Sequence, residues 1–410
     1  MSEDKSQAAE AAPPEEQESP PPAPGQWHTV LRSITSGNAM VAVLSVLLSV
    51  AVGSVLILVT DEDVRSSAGY IFAQPGDFFQ ASWDAIYGAY SALFRGSVYN
   101  SRGADFQASI RPLTETLKFA APLILAGLGV GLAFRAAMFN IGGRGQMLLA
   151  GAVAGWIAIE VDLPAPLHLV VALLGAMAAG ALWAGIAGVL KARTGAHEVI
   201  VTIMLNYVGF YLVFYALSKE SLLQAPGSFN PKSLPMQKSA TLPKILGDRF
   251  TLHFGIVLAL VAVVVVWWLL NRSALGYRIR AVGENPNAAR TAGIDVGRIY
   301  VVVMLIAGAL VGLAGANQVL GTVTSGVTVD LDAGIGFDAI TVALLGRSRP
   351  LGILFAGLLF GAFKAGGFAM QASEGIPVDI VLVIQSLIVL FIAAPPLVRA
   401  IFRLPAKEEA

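Results

Sequence analysis

Long apolar runs recur along this 410-residue chain, and they constrain its fold more than any other feature. They lie near 39–59, 119–134, 147–159, 167–190, 199–217, 254–270, 300–320, 338–346, 351–370 and 378–394. A membrane helix needs about 20 apolar residues, and most of these runs approach that length if the shorter ones extend into their flanks. The eighth is too short to cross a bilayer alone. It follows VTSGVTVDLDAGIG, a Gly-, Asp- and Thr-rich stretch that suits a re-entrant or broken helix surrounded by protein or water. The expected fold class is therefore all-α: a polytopic integral membrane protein with about ten transmembrane segments, including short or broken helices.

Composition agrees where it is informative. Charged residues make up 13% of the chain, against roughly 25% in soluble domains. The 27 basic and 27 acidic residues cancel, so no nucleic acid partner is implied, and the apolar runs make the lipid bilayer the expected partner. The absence of cysteine excludes disulfides, thiolate metal sites and a cysteine nucleophile. His28, His168, His197 and His253 form no ligand-spaced motif, and the 43 glycines suit close helix packing in a bilayer.

The first 26 residues are acidic and Pro-rich, cannot build an apolar core and lack the features of a signal peptide. Residues 1–38 are therefore expected to be a disordered cytoplasmic tail, 39–395 the transmembrane domain and 396–410 a cytoplasmic C-terminal tail. Orientation follows from Lys and Arg. With the N-terminal tail inside, the inner connections hold Arg135 and Arg144; Lys191 and Arg193; Arg272, Arg278, Arg280, Arg290 and Arg298; and Arg347 and Arg349. The three short outer connections hold none. This positive-inside pattern places both termini in the cytoplasm. Lys364, in the outer half of the ninth span, is expected to snorkel outward.

On this topology, 271–298 is the longest inner connection, and it contains GENPNAARTAGI. Asn285 is a good N-cap, Pro286 fits the first helical position, and Gly293 can close the turn in the left-handed conformation. Pro286 to Ala292 would make a rod of about 10 Å, marginal alone in water, whose alanines leave a smooth face for a receiving surface.

ALGYRIRAVGENPNAARTAGI resembles the cytoplasmic coupling segment of bacterial ABC-importer permeases serving simple sugars, nucleosides and branched-chain amino acids. FNIGGRGQMLLAGAVAG (139–155), AHEVIVTIMLNYV (196–208) and GFDAITVALLGRSRPLGILFAGLLFG (336–361) match as well. The His-Glu-Val-Ile form is most similar to the nucleoside-type members. The resemblance covers roughly 110–395; Arg144 departs from it, standing where a glutamate-like residue is usual. It implies a permease dimer, with like or unlike chains, in the bacterial plasma membrane. It also implies an ABC ATPase subunit that receives the coupling helix, and an extracytoplasmic substrate-binding protein. Glu284, Asn285, Pro286, Ala289, Arg290 and Gly293 are the coupling candidates. No cofactor is expected in this chain, because ATP is used by the ATPase subunit; the sequence contains no Gly-Lys dipeptide and so no phosphate-cradling Walker A loop.

Candidate pathway residues are Asn140, Gln146, Asn206, Tyr207, Tyr211, Asn317 and Gln318. FNIGGRGQ reads either as an inner turn or as a backbone-exposing re-entrant segment beside the pathway. Asn206, costly inside a span unless bonded, fits helix-to-helix glue or ligand contact, and Asn317 with Gln318 raise the same question. Tyr207, Phe210, Tyr211, Phe214 and Tyr215 fit an interfacial belt or a stacking surface for a nucleobase or sugar. Glu198, Asp338 and Asp379 fall at span ends, so no span interior holds the carboxylate that proton-coupled carriers usually need. HExxH and GxSxG are absent, which disfavours an enzyme. The expectation is a nucleoside permease without catalytic activity; simple-sugar or branched-chain amino acid permeases and an ion-coupled carrier are the alternatives.

Overall fold

The computed structural model describes residues 38–403. The expected disordered tail lies outside the described residues except for Asn38, as do residues 404–410 of the C-terminal tail.

Among the described residues the regular structure is helical. In chain order the helices are α1 (Asn38–Thr60), α2 (Glu62–Ala68), α3 (Pro75–Ser97), α4 (Phe106–Phe134), α5 (Gly143–Glu160), α6 (Leu167–Thr194), α7 (Glu198–Leu217) and α8 (Gly255–Arg272). They continue with α9 (Ala274–Glu284), α10 (Pro286–Thr291), α11 (Val296–Asn317), α12 (Ile335–Leu345), α13 (Pro350–Glu374), α14 (Val378–Ala393) and α15 (Pro395–Ile401). Seven are long and apolar enough to cross a membrane: α1, α4, α6, α7, α8, α11 with its π-helical extension to Thr322, and α13. The other three expected segments, α5, α12 and α14, are shorter or more polar.

Helix α4 is the hub, buried along nearly its whole inner length. It starts at Phe106, earlier than the apolar run, because Asp105 accepts the Ala108 N–H and caps it. Helices pack through small residues, as expected where lipid removes most of the hydrophobic drive between them. A Cβ on Gly308 would strike the Gly180 carbonyl, so α11 and α6 touch backbone to backbone. On the other side, Gly357 and Gly361 of α13 lie against Ile124 and Thr116 of α4.

The connection between the first two expected spans contains the 23-residue α3. Its buried face is Ala89, Ala92 and Ser97, and Gly96 sits against Gly366 and Ala369 of α13. Gly88 meets Glu374 at the far end of α13, so α3 runs antiparallel to α13 from that end. Thr116 Oγ1 of α4 then donates to the Ser97 carbonyl at 2.6 Å, and both ends of α3 connect on the same side of the bundle. The count of crossings between α1 and α4 is unchanged.

Candidate functional site

The helix pattern is interrupted twice, between α4 and α5 and between α11 and α12. Non-helical backbone at membrane depth needs partners for its N–H and C=O groups, and side chains supply several of them in both places.

At the first break, residues 139–145 run beside α7. Glu198, Thr202 and Asn206 are four residues apart, so they form a buried stripe on one face of that helix. The Glu198 carboxylate lies 2.8 Å from Lys191 Nζ and accepts the Phe139 N–H. Thr202 Oγ1 accepts the Ile141 N–H at 3.3 Å. Asn206 donates from Nδ2 to the Ile141 carbonyl at 2.9 Å, and its Oδ1 accepts the Gly145 N–H at 2.8 Å. Eight residues of helix separate Glu198 from Asn206, so the segment rises about 12 Å along α7 before α5 begins. Asn140 and Gln146 lock the corner. Asn140 Oδ1 accepts from Gly142 N and Gln146 Nε2, and its Nδ2 donates to Gln146 Oε1. Side chains of α7 and of the corner itself thus hold the backbone of this segment.

The second break descends along α5. A Cβ on Gly155 would strike Val327, one on Gly151 would strike Leu331, and one on Gly143 would press on the Gly336 carbonyl at 2.6 Å. Ser233 fastens the upper part: its N–H donates to the Val327 carbonyl at 3.1 Å, and its Oγ accepts the Val327 N–H at 2.8 Å. The starts of α5 and α12 therefore meet at Gly143 and Gly336. There Arg144 Nε lies 3.4 Å from the buried carboxylate of Asp332, with the guanidinium 5.3 Å from the Phe210 ring. Lys364 does not snorkel outward as expected; its Nζ donates to the Ala333 carbonyl at 2.8 Å. A backbone carbonyl left open by the helix break recruits the ammonium.

Asn140, Gln146 and Asn206 thus come together, with their amides engaged inside the chain. Tyr207 and Tyr211 point the other way and are 60% and 65% exposed. Asn317 and Gln318 are buried where α11 passes into its π-helical turn, and neither Asn317 Oδ1 nor Nδ2 has a hydrogen-bond partner. Three features of the breaks were not anticipated from the sequence: the Glu198–Thr202–Asn206 ladder, the buried Asp332 and the bond of Lys364. The spacing of four in the ladder was a visible signal; its partners were not.

At the other end of α11 lies the segment resembling a coupling helix. Asn285 Oδ1 accepts the N–H groups of Asn287 and Ala288 at 2.9 and 3.1 Å, Pro286 occupies the first turn, and Gly293 closes it with φ 79°. The cap chemistry read from the sequence is that of the structure. Ala289 differs from the smooth outward face expected of these alanines: it is 3% exposed and belongs to the hydrophobic core, seating the helix on its own chain. Glu284, Asn285, Arg290 and Gly293 are exposed, as are Ala288, Thr291 and Ala292.

Comparison with known proteins agrees with this architecture. Residues 113–393 match the family described as branched-chain amino acid transport system / permease component. The chain belongs to this family. It is the permease of an ABC importer, a transport component rather than an enzyme, built to work in a membrane with an ATPase and a substrate-binding protein. The guanosine ABC transporter permease protein NupP of Bacillus subtilis (strain 168) is 35% identical over 366 residues, 88% of this permease and 95% of its own length. The glucose ABC transporter permease protein TsgB13 of Haloferax volcanii is 38% identical over 290 residues, 68% and 75% of the two chains. The nucleoside ABC transporter permease protein NupB of Lactococcus lactis subsp. cremoris is 35% identical over 291 residues, 70% and 80%.

Proposed function

We propose that this permease carries nucleosides into the cell. The observation that carries the reading is the similarity to the guanosine permease NupP, which spans nearly the full length of both chains. The exposed face of α7 is compatible with it. Tyr207 and Tyr211 offer flat apolar rings with hydroxyl edges, which suit a nucleobase or sugar face and give no charge to neutralise an ion. In this reading the pathway lies between two permease chains, identical or different. Asn140, Gln146 and Asn206 brace the broken segment beside it, and Asn317 with Gln318 stand nearer its outer end. Glu284, Asn285, Pro286, Arg290 and Gly293 form or shape the surface received by the ATPase, with both termini on that cytoplasmic side. The proposed organisation is a tail over 1–38, a transmembrane domain over 39–395 and a second tail over 396–410.

A simple-sugar substrate is the second reading, favoured by the 38% identity to the glucose permease TsgB13 over a shorter stretch. Uptake of labelled guanosine, adenosine, uridine, glucose and leucine by cells with and without this chain separates the two. Loss of nucleoside uptake alone is expected; loss of glucose uptake alone would establish the sugar reading. Transport by the purified chain in liposomes without an ATPase, driven by an ion gradient, would overturn both.

A further inference from the structure

Four arginines converge where α9 meets the ends of α4, α8 and α12. They are Arg135, Arg280, Arg347 and Arg349, and they line a cleft of about 730 Å³ whose apolar side includes Trp267 and Leu351. The sequence builds this cleft in identifiable steps. Gly283 has no side chain, so α9 lies directly on the Arg135 backbone and carries Arg280 to that site. Arg135 Nε donates to the Ser348 carbonyl at 2.9 Å and ties the end of α4 to the turn before α13. In that turn Arg347 and Ser348 both take left-handed backbone conformations, φ 51° and 50°, which residues with side chains adopt rarely.

The cleft is short of negative charge. Among the described residues no ion pair engages any of the four guanidiniums, and Arg280 Nη1 is buried with no hydrogen-bond partner. Burial pushes the Arg135 pKa below the ordinary guanidinium range; Arg349 and Arg280 push it further, and only Glu284 opposes them. An orphaned guanidinium donor among like charges is a state that a bound anion relieves.

The chemistry of that anion follows from the donors and from their place. Planar guanidiniums match phosphate oxygens in pairs. The cleft also sits where α8 ends and α13 begins, at the edge of the membrane-spanning bundle, and basic pockets between membrane helices suit lipid head groups. Trp267 and Leu351 remain 41% and 56% exposed, an apolar wall that a free phosphate would leave in water. We propose that this cleft holds the phosphate of an anionic phospholipid, with the lipid's glycerol and acyl chains against Trp267 and Leu351. The inference rests neither on the substrate reading nor on which end of the bundle is cytoplasmic.

The test uses the full chain in neutral detergent, titrated with phosphatidylglycerol or with phosphatidylcholine of the same acyl chains and read by native mass spectrometry. Phosphatidylglycerol is expected to bind roughly ten-fold more tightly, and the Arg280→Gln/Arg349→Gln variant should lose that preference. Arg102→Gln/Arg111→Gln, at the opposite end of α4, should keep it. Because the first variant relieves repulsion, its lipid-free melting temperature should not fall; if it does, Arg349→Gln alone, at an exposed position, carries the comparison. Equal binding of the two lipids, or an unchanged preference in the variant, overturns the proposal. Displacement of phosphatidylglycerol by millimolar inorganic phosphate overturns the lipid assignment in favour of a soluble phosphate. Loss of ATPase co-purification in the variant with lipid preference intact assigns the arginines to protein carboxylates instead.

Discussion

Replacing Asn206 with leucine separates bracing from ligand contact. Leucine keeps the branched shape of asparagine but neither accepts the Gly145 N–H nor donates to the Ile141 carbonyl, the two bonds Asn206 makes at 2.8 and 2.9 Å. The orphaned Ile141 carbonyl would lie in the non-helical segment, and the orphaned Gly145 N–H in the first turn of α5, where a helix offers its N–H groups no internal partner. A hydrogen bond between membrane helices is worth only about 0.6 kcal/mol on average, because side chains freed from one partner find others. Backbone groups held in a break have no such freedom, so the unsatisfied-group figure of about 1–3 kcal/mol each applies, or about 2–6 kcal/mol together. Thermal unfolding of the purified chain in lipid nanodiscs should therefore show a clearly lower melting temperature for Asn206→Leu. Tyr207→Leu, the neighbouring exposed position, should melt like the parent while uptake changes. An Asn206→Leu protein that melts normally yet no longer transports would refute the reasoning and make Asn206 a ligand contact.

Three further outcomes are expected. Ala288→Trp, on the exposed face of α10, should lower substrate-stimulated ATP hydrolysis in the assembled complex without changing the melting temperature; Ala289→Trp, facing inward, should instead destabilise the chain by about 1–3 kcal/mol through overpacking. Burial, with a smaller contribution from Lys118, pushes the His253 pKa down to about 4, so the folded chain keeps this imidazole neutral while the unfolded chain takes up a proton below pH 6.5. Its contribution to stability is thus complete above pH 6.5 and is lost as pH falls towards 4, at up to about 1.4 kcal/mol per pH unit and about 3 kcal/mol in all; this component of a pH–stability curve should disappear in His253→Gln. Asn317→Leu removes a buried amide with neither polar atom bonded, and should raise the melting temperature; a fall would show that Asn317 has a partner in solution.

What the sequence revealed depended on how local the physics was. The capped turn of α10 was legible because Asn285, Pro286 and Gly293 act within one turn. The uniformly apolar α1, α6 and α11 were legible because burial in lipid selects the whole surface of a helix. Helix α3 was not, since its inner face is Ala89, Ala92 and Gly96, whose packing depends on close approach to α13 rather than on hydropathy. The first turns of α4 were hidden by Arg111, Glu115 and Lys118, charged residues that lie beyond the apolar run. Asn206 was visible as an anomaly that bonding within the protein or ligand contact would explain, but its partner was not, because Ile141 lies 65 residues away. Lys364 misled for the same reason: its acceptor is a carbonyl exposed by a distant helix break.

The two breaks and the coupling segment are joined by close backbone contacts at glycines, by the Ala289 side chain and by one arginine bond. Helix α10 seats on the core through Ala289; α9 bears on the end of α4 through Gly283; and Arg135, at that end, holds the Ser348 carbonyl. From this turn α12 runs back as an 11-residue rod, about 16 Å long, to Gly336. There a Cβ would strike the Arg144 backbone, so α12 and α5 have no slack between them. If the ATPase moves α10, as proposed, the displacement meets stiff helices and glycine contacts before it reaches the junction of the breaks. Packed backbone of this kind shifts between discrete arrangements rather than deforming gradually. The Arg144–Asp332 pair and the Lys364–Ala333 bond lie at that junction. Under that proposal these two contacts would bear on the relative stability of the arrangements, something that no span-by-span reading of hydropathy brings out.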